Sequence, residues 1–222
     1  MTDHLSLIFD LDGTLIDSVP QIHAAANTVF GNKGLPEVSR EIVRGFVGNG
    51  LDALVNRLVA HHGIEAGPAL HAALVAEFIS IYEEAFDLTT LYPGVSTALP
   101  ELVATGHRLA VCTNKPLGPA RAVLRHFGLH ALFPVVIGGD SLPQRKPDPA
   151  PLLAAASALG DARRLFIGDS EVDVETAHAA GISFVLFSGG YRKAAPTTLG
   201  ARVIFDHHAA LPGLIDRLAP SL

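Results

Sequence analysis

Residues 5–18 read Leu5-Ser6-Leu7-Ile8-Phe9-Asp10-Leu11-Asp12-Gly13-Thr14-Leu15-Ile16-Asp17-Ser18. Leu7, Ile8 and Phe9 form the short unbroken apolar run of a strand buried on both faces, as in a parallel sheet. The run stops at Asp10 and Asp12, and open parallel sheets bind ligands at the carboxyl ends of their strands. In extended chain, residues two apart point to one side, so both carboxylates can face a single site. Two such charges about 4 Å apart repel by roughly 4 kcal/mol at an effective dielectric near 20. A cation relieves that repulsion, and Mg²⁺, which takes one or two carboxylates plus waters and phosphate oxygens, suits the place. Asp-x-Asp-Gly alone also fits a plain turn, with side-chain oxygens closing the strand end. The later motifs decide between these readings.

Further along, the same arrangement returns. Arg108 to Thr113 is expected as a strand, with Leu109, Ala110, Val111 and Cys112 apolar, and it delivers Thr113-Asn114-Lys115-Pro116. A hydroxyl followed by amide groups can hold a phosphate through neutral donors, though a strand-to-helix turn needs the same residues. A helix from Pro119 to Phe127 and a strand from Pro134 to Ile137 precede Arg145-Lys146-Pro147-Asp148-Pro149. Its two prolines stiffen the loop. Arg164 to Ile167 is another apolar strand ending in acid, Gly168-Asp169-Ser170-Glu171-Val172-Asp173. Glu171 and Asp173 fall in the first turn of a helix, where acids complement the dipole. Strands at 183–187 and 203–205 and a helix ending near Leu218 complete the series. Strands alternating with helices imply an α/β fold, a doubly wound, mainly parallel sheet with its strand ends on one edge.

Between the first strand and all the others, residues 19–86 carry only helical patterns. Ser18 is placed to cap a helix with Pro20 in its first turn, and Ser39 to open another through Ile42, Val43 and Phe46. Leu51, Leu54, Val55, Leu58 and Val59 form a stripe at helical spacing, and a longer helix starts at Pro68. A helical block inserted directly after a catalytic strand reads as a cap. The expected division is 1–16 and 88–222 for the α/β core and 17–87 for the cap. Gly48-Asn49-Gly50 is a helix stop or a ligand loop. Lys33 reads as a solvated surface lysine, and the His61–His62 pair as helix C-terminal residues rather than metal ligands. Pro100 inside the helix after Gly94 predicts a kink or a late start.

Composition narrows the function. A net charge of −6 over 222 residues disfavours nucleic acid and anionic membrane as partners, so an anionic substrate needs a local cation. No apolar run reaches the roughly 18 residues of a membrane helix, and residues 1–10 lack the features of a signal peptide. The single cysteine, Cys112, reads as a buried inert thiol and fits a reducing cytoplasm.

Taken together, Asp10-Leu11-Asp12-Gly13-Thr14, Thr113-Asn114-Lys115-Pro116, Lys146-Pro147-Asp148-Pro149 and Gly168-Asp169 resemble the four motifs of the haloacid dehalogenase superfamily in its phosphatase form. The resemblance covers essentially the whole chain. It implies Asp10 as nucleophile, Asp12 as general acid/base, Thr113, Asn114 and Lys146 on the phosphate, and Lys146 rather than Lys115 or Arg145 as the bridging cation. It also implies Mg²⁺ held by Asp10, the Asp12 carbonyl and Asp169, with Asp173 behind them. Val47-Gly48-Asn49-Gly50 with Arg57 resembles the cap loop of bacterial phosphoglycolate phosphatases, implying Gly48, Asn49 and Gly50 as substrate contacts and 2-phosphoglycolate as substrate. Other sugar phosphates, nucleotides or pyrophosphate remain as substrates under the same motifs, as does a β-phosphoglucomutase-like transfer. A non-catalytic binding protein is the alternative from another class. The expected protein is a cytoplasmic monomer or homodimer acting on a small phosphorylated metabolite.

Overall fold

The computed structural model describes residues 4–84, 86–160 and 162–221. In chain order its elements are β1 (Leu5–Phe9), β2 (Ile16–Asp17), α1 (Val19–Gly31), α2 (Arg40–Arg44), α3 (Leu51–His61), α4 (Pro68–Glu84), β3 (Thr90–Leu91), α5 (Val95–Ala104) and β4 (Arg108–Cys112). There follow α6 (Leu117–His126), β5 (Val135–Ile137), α7 (Ala150–Leu159), β6 (Arg163–Gly168), α8 (Glu171–Ala180), β7 (Ser183–Phe187), β8 (Val203–Phe205) and α9 (Leu211–Leu218).

Six strands form one parallel sheet in the order β5-β4-β1-β6-β7-β8, as the alternation of strands and helices predicts. Alternate side chains of β1 go to opposite faces. Leu5, Leu7 and Phe9 pack with Val95, Leu99, Val123 and Ile215 on one side, and Ile8 with Leu152, Ala155 and Ala177 on the other. Each large side chain buried in this way contributes about 1.5–3 kcal/mol. Phe9 is in register with Val111 of β4 and Ile167 of β6. The residues that follow these three, Asp10, Cys112-Thr113 and Gly168-Asp169, therefore emerge together at one edge.

The helical block α1–α4 leaves after β2 and returns before β3, and these two short strands pair antiparallel, Ile16 with Leu91 and Asp17 with Thr90. It has its own apolar centre, including Ala26, Val29, Phe30, Val55, Leu58 and Phe78. Among the described residues no helix is long and apolar enough to cross a membrane.

Local expectations fared unevenly. Ser39 caps α2 by accepting from Ile42 N. Ser18 precedes α1 but makes no capping hydrogen bond; the Val19 N–H goes to Asp17 and to the Tyr191 hydroxyl instead. Pro100 does not delay its helix, which starts at Val95 and runs on to Ala104. The ring is on the exposed side, where water can satisfy the carbonyl that loses its partner. His62 stacks on Phe30, with ring centroids 5.0 Å apart, and burial followed by the charge of His61 lowers its pKa. It is a packing residue more than a positive charge at a helix end.

Candidate active site

The edge where β1, β4 and β6 end is acidic and tightly connected. Asp10 is anchored by its own N–H, which donates to Ile167 O at 2.8 Å. The Lys146 ammonium lies 2.9 Å from Asp10 Oδ1 and 2.6 Å from Asp173 Oδ1. Asp173 Oδ2 accepts from the Ser170 hydroxyl at 2.7 Å and from the N–H groups of Ser170 and Asp169. Asp173 thus closes the capping box of α8 and aims the lysine at Asp10. Asp169 accepts from Thr14 Oγ1 at 2.8 Å and Tyr191 N at 2.6 Å. Gly13 and Gly190 press against it; a Cβ at Gly190 would lie 2.1 Å from Asp169 Oδ2, so no other residue fits there.

These groups perturb one another. Burial is the main force raising the Asp10 pKa; Lys146 opposes it and Asp173 adds to it, and the carboxyl stands at about 7. Burial, then Asp173 and Asp10, push Asp169 well above the usual carboxylate range. Burial works against the charge of Lys146, but Asp10 and Asp173 outweigh it and hold its pKa above the ordinary value. One oxygen each from Asp10, Asp169 and Asp173 lie within 4.8 Å of one another. Three buried carboxylates against one ammonium leave an excess of negative charge on hard oxygen donors, a setting that fits a divalent cation. Asp173 is the most fully engaged of the three, which leaves Asp10 and Asp169 better able to ligate.

Asp12 faces the neighbouring space. The Lys115 ammonium lies 3.1 Å from its Oδ1 and 3.3 Å from Oδ2, and also donates to the Tyr82 hydroxyl at 2.6 Å. Thr113 is fixed by its N–H to Ile137 O, and its Oγ1 accepts from Lys115 N at 3.2 Å. The Asn114 side chain donates to Gly48 O and Lys146 O, both at 3.0 Å, and accepts from Lys146 N at 3.0 Å. It buckles the Thr113 loop, the Lys146 loop and the cap loop together, and its side-chain amide is occupied in doing so. Asn49 is turned aside, accepting from Arg57 at 2.7 Å, while Arg57 also donates to Phe46 O. Lys33 pairs with Glu77 at the surface.

Between the two halves lies a cleft open to solvent. Asp10, Asp12, Thr113, Asn114 and Lys115 line its core side, and Val47, Gly48, Gly50, Leu51, Leu54, Phe78 and Tyr82 line its cap side. Cys112 is buried beside it, and burial above all pushes its thiol up to about 12, where it is inert.

Sequence reasoning left out Lys115 as a partner of Asp12, the cap residue Tyr82, and Tyr191. Tyr191 joins the site to the end of β2: its N–H holds Asp169, while its hydroxyl donates to Asp17 and accepts from Ser18 N at 2.7 Å. The only trace of it in the sequence is Gly189-Gly190-Tyr191 after a strand. Glu171 does more than face a helix dipole, since it accepts from the N–H groups of Lys193 and Ala194 and so ties down the loop that carries Tyr191.

Residues 7–187 match the model of a family described as haloacid dehalogenase-like hydrolase. The chain is 47% identical to the phosphoglycolate phosphatase of Cereibacter sphaeroides, over 96% of this chain and 98% of that protein. It is 42% identical to the phosphoglycolate phosphatase of Rhodospirillum rubrum, over 93% and 88% of the two chains. The crystal structure of a predicted phosphoglycolate phosphatase from Haemophilus somnus 129pt superposes with a TM-score of 0.90 at 34% identity, covering 96% of this chain and 99% of that one.

Proposed function

The chain belongs to the haloacid dehalogenase-like hydrolases, and from that membership we propose that it is a Mg²⁺-dependent phosphatase that cleaves 2-phosphoglycolate to glycolate and phosphate. The observation that carries this reading is the meeting of Asp10, Asp12, Thr113 and Asn114 in one cleft, with Lys146 and Asp169 against Asp10. The names of the relatives supply the substrate.

On this reading Asp10 attacks phosphorus and the bond to the ester oxygen breaks. Asp12 gives its proton to that oxygen, which leaves as the hydroxyl of glycolate. Water then attacks the aspartyl-phosphate, returning its proton to Asp12 and releasing inorganic phosphate and free Asp10. Lys146, held on line by Asp173, and Thr113 with the Asn114 N–H balance the charge on the phosphoryl oxygens. Asp10, Asp169 and the Asp12 carbonyl would hold Mg²⁺, which supplies further neutralisation at the nucleophile and the phosphoryl group. Phosphate monoester hydrolysis needs up to ~10²¹-fold acceleration, roughly 29 kcal/mol, so no one of these groups suffices.

Residues 1–16 and 88–222 form the catalytic core and 17–87 the cap, with the β2–β3 pair at the crossings. Gly48, Asn49 and Gly50 shape the cap side of the cleft, Asn49 by bracing the loop through Arg57. The enzyme acts in the cytoplasm as a monomer or homodimer, without nucleic acid or membrane. Purified protein assayed for phosphate release over a panel of phosphorylated metabolites, with Mg²⁺ and with chelator, tests the reading. The expected result is Mg²⁺-dependent turnover with the highest kcat/KM for 2-phosphoglycolate; preference for hexose phosphates or nucleotides would remove the substrate, and full activity in chelator would remove the metal.

A further inference from the structure

Among the described residues lining the cleft, Lys115 alone carries a positive charge. Among its described residues the cap contributes no cation to it. Arg57 is held by Phe46 O and Asn49, Lys33 by Glu77, and Arg44 by Gly190 O at 2.6 Å. Arg145, at the rim, pairs with Asp52. Lys115 is only 7% exposed, yet among the described residues its neighbours supply a single carboxylate, Asp12, and the neutral hydroxyl and ring of Tyr82, whose centroid is 4.1 Å from the ammonium.

We propose that Lys115 is the specificity-determining residue of this cleft, receiving the carboxylate of the leaving group, with Tyr82 of the cap holding the ammonium in place for it. This rests on the reading of the substrate as 2-phosphoglycolate. Asp12 must come within about 2.6–3.2 Å of the ester oxygen to protonate it. In 2-phosphoglycolate a single methylene joins that oxygen to the carboxylate. A cation already in contact with Asp12 therefore stands beside the carboxylate without any movement of the backbone. An ammonium has three donors, and by giving up the longer of its two contacts with Asp12 it can keep Asp12 and Tyr82 and donate to a new anion. The apolar cap wall, with Leu51, Leu54 and Phe78, lowers the local dielectric and strengthens that pairing. The loop at Gly48 is docked on Asn114 and sets shape, whereas Lys115 sets charge.

The test compares 2-phosphoglycolate with 2-hydroxyethyl phosphate, which carries an uncharged hydroxyl where the carboxylate would be. Lys115→Met should lower kcat/KM for 2-phosphoglycolate about a hundredfold, mainly through KM, and at least about tenfold more than it lowers kcat/KM for 2-hydroxyethyl phosphate, because any effect through Asp12 is common to both esters and only the first loses a partner for its carboxylate. Lys115→Arg should restore part of the preference. Equal losses on both esters would overturn the proposal, because they are what a residue acting only through Asp12 produces. A wild-type enzyme with no preference between the two esters would instead remove the substrate reading, and this assignment with it. Binding gives a readout independent of turnover: in Asp10→Asn, calorimetry should find 2-phosphoglycolate bound at least about tenfold more tightly than 2-hydroxyethyl phosphate. That difference should vanish in Asp10→Asn with Lys115→Met, and its persistence would overturn the assignment. Lys115→Gln replaces the methionine variant wherever the latter fails to fold.

Discussion

In the core behind the cleft, Lys146 is fixed by carboxylates at 2.9 and 2.6 Å, and Asp173 beside it is fully buried and hydrogen-bonded through both oxygens. On the cap side, Leu51, Leu54 and Phe78 meet the cavity with hydrocarbon alone and rest on an apolar centre of their own. The polar side is held by directional bonds whose lengths and angles admit one arrangement. The apolar side is held by packing, which is tolerant of volume-conserving change. On the proposed reading, the chemistry common to all phosphate esters belongs to the core and discrimination among esters to the cap, with Lys115 as the core residue that meets the cap at Tyr82.

That division can be broken by experiment. Asp10→Asn should lower phosphate release by at least about 10³-fold for every ester, because an amide is a poor nucleophile and a poor ligand, while thermal unfolding followed by circular dichroism stays cooperative. Turnover within tenfold of wild type would end the covalent mechanism. Asp173→Asn should cost about 10²-fold in kcat, since Lys146 loses the group that aims it. The loss should be the same for 2-phosphoglycolate and p-nitrophenyl phosphate; a loss that depends on the leaving group contradicts the division.

Acid should loosen the core in a way that one side chain controls. His208, buried in the core against Tyr92, Phe187 and Phe205, has its pKa lowered to about 4, chiefly by burial and then by His207. A depressed histidine pKa means the unfolded chain binds the proton more readily. The stability is complete above the unfolded value of 6.5 and is lost as pH falls toward 4. Between pH 7 and pH 5 this amounts to about 2 kcal/mol, roughly thirtyfold in the folding constant. Urea titrations of His208→Phe should show a correspondingly shallower loss over that interval, and an unchanged slope would exclude His208 as the cause.

The smallest effect belongs to the cap loop. Gly50 has φ +87°, and a Cβ there would lie 3.2 Å from Asn114 O; Gly48 has φ +119°. Valine at both should strain the loop and lower kcat/KM for 2-phosphoglycolate by about tenfold, with much less effect on p-nitrophenyl phosphate. Equal losses on both substrates would mean that the loop only ends a helix.

The strands and their acids were legible because the signal is local: an apolar run buried on both faces, then a carboxylate. Asp10, Thr113 and Asp169 fall at the ends of adjacent strands for that reason. Lys115 and Lys146 look alike in sequence, each in a loop near proline. What separates them is the carboxylate each one meets, and Asp12 is 103 residues from Lys115. Tyr82 was hidden in a helical stripe, and Tyr191 in a loop without periodicity. The Asn114 amide was legible as a hydrogen-bonding group, but its partners, Gly48 and Lys146, lie 66 and 32 residues away.

The place of β1 in the sheet also governs the order in which the molecule can assemble. It is the earliest of the six strands in the chain, yet its neighbours are β4, beginning at Arg108, and β6, beginning at Arg163. A ribosome that has made β1 must thread out the whole helical block before the first partner arrives. The cap, whose helices α1–α4 pack on one another, can condense during that interval, while Leu7, Ile8 and Phe9 await their sheet neighbours. The strand that ends in Asp10 is therefore the first of the six to be made and waits longest for a sheet neighbour.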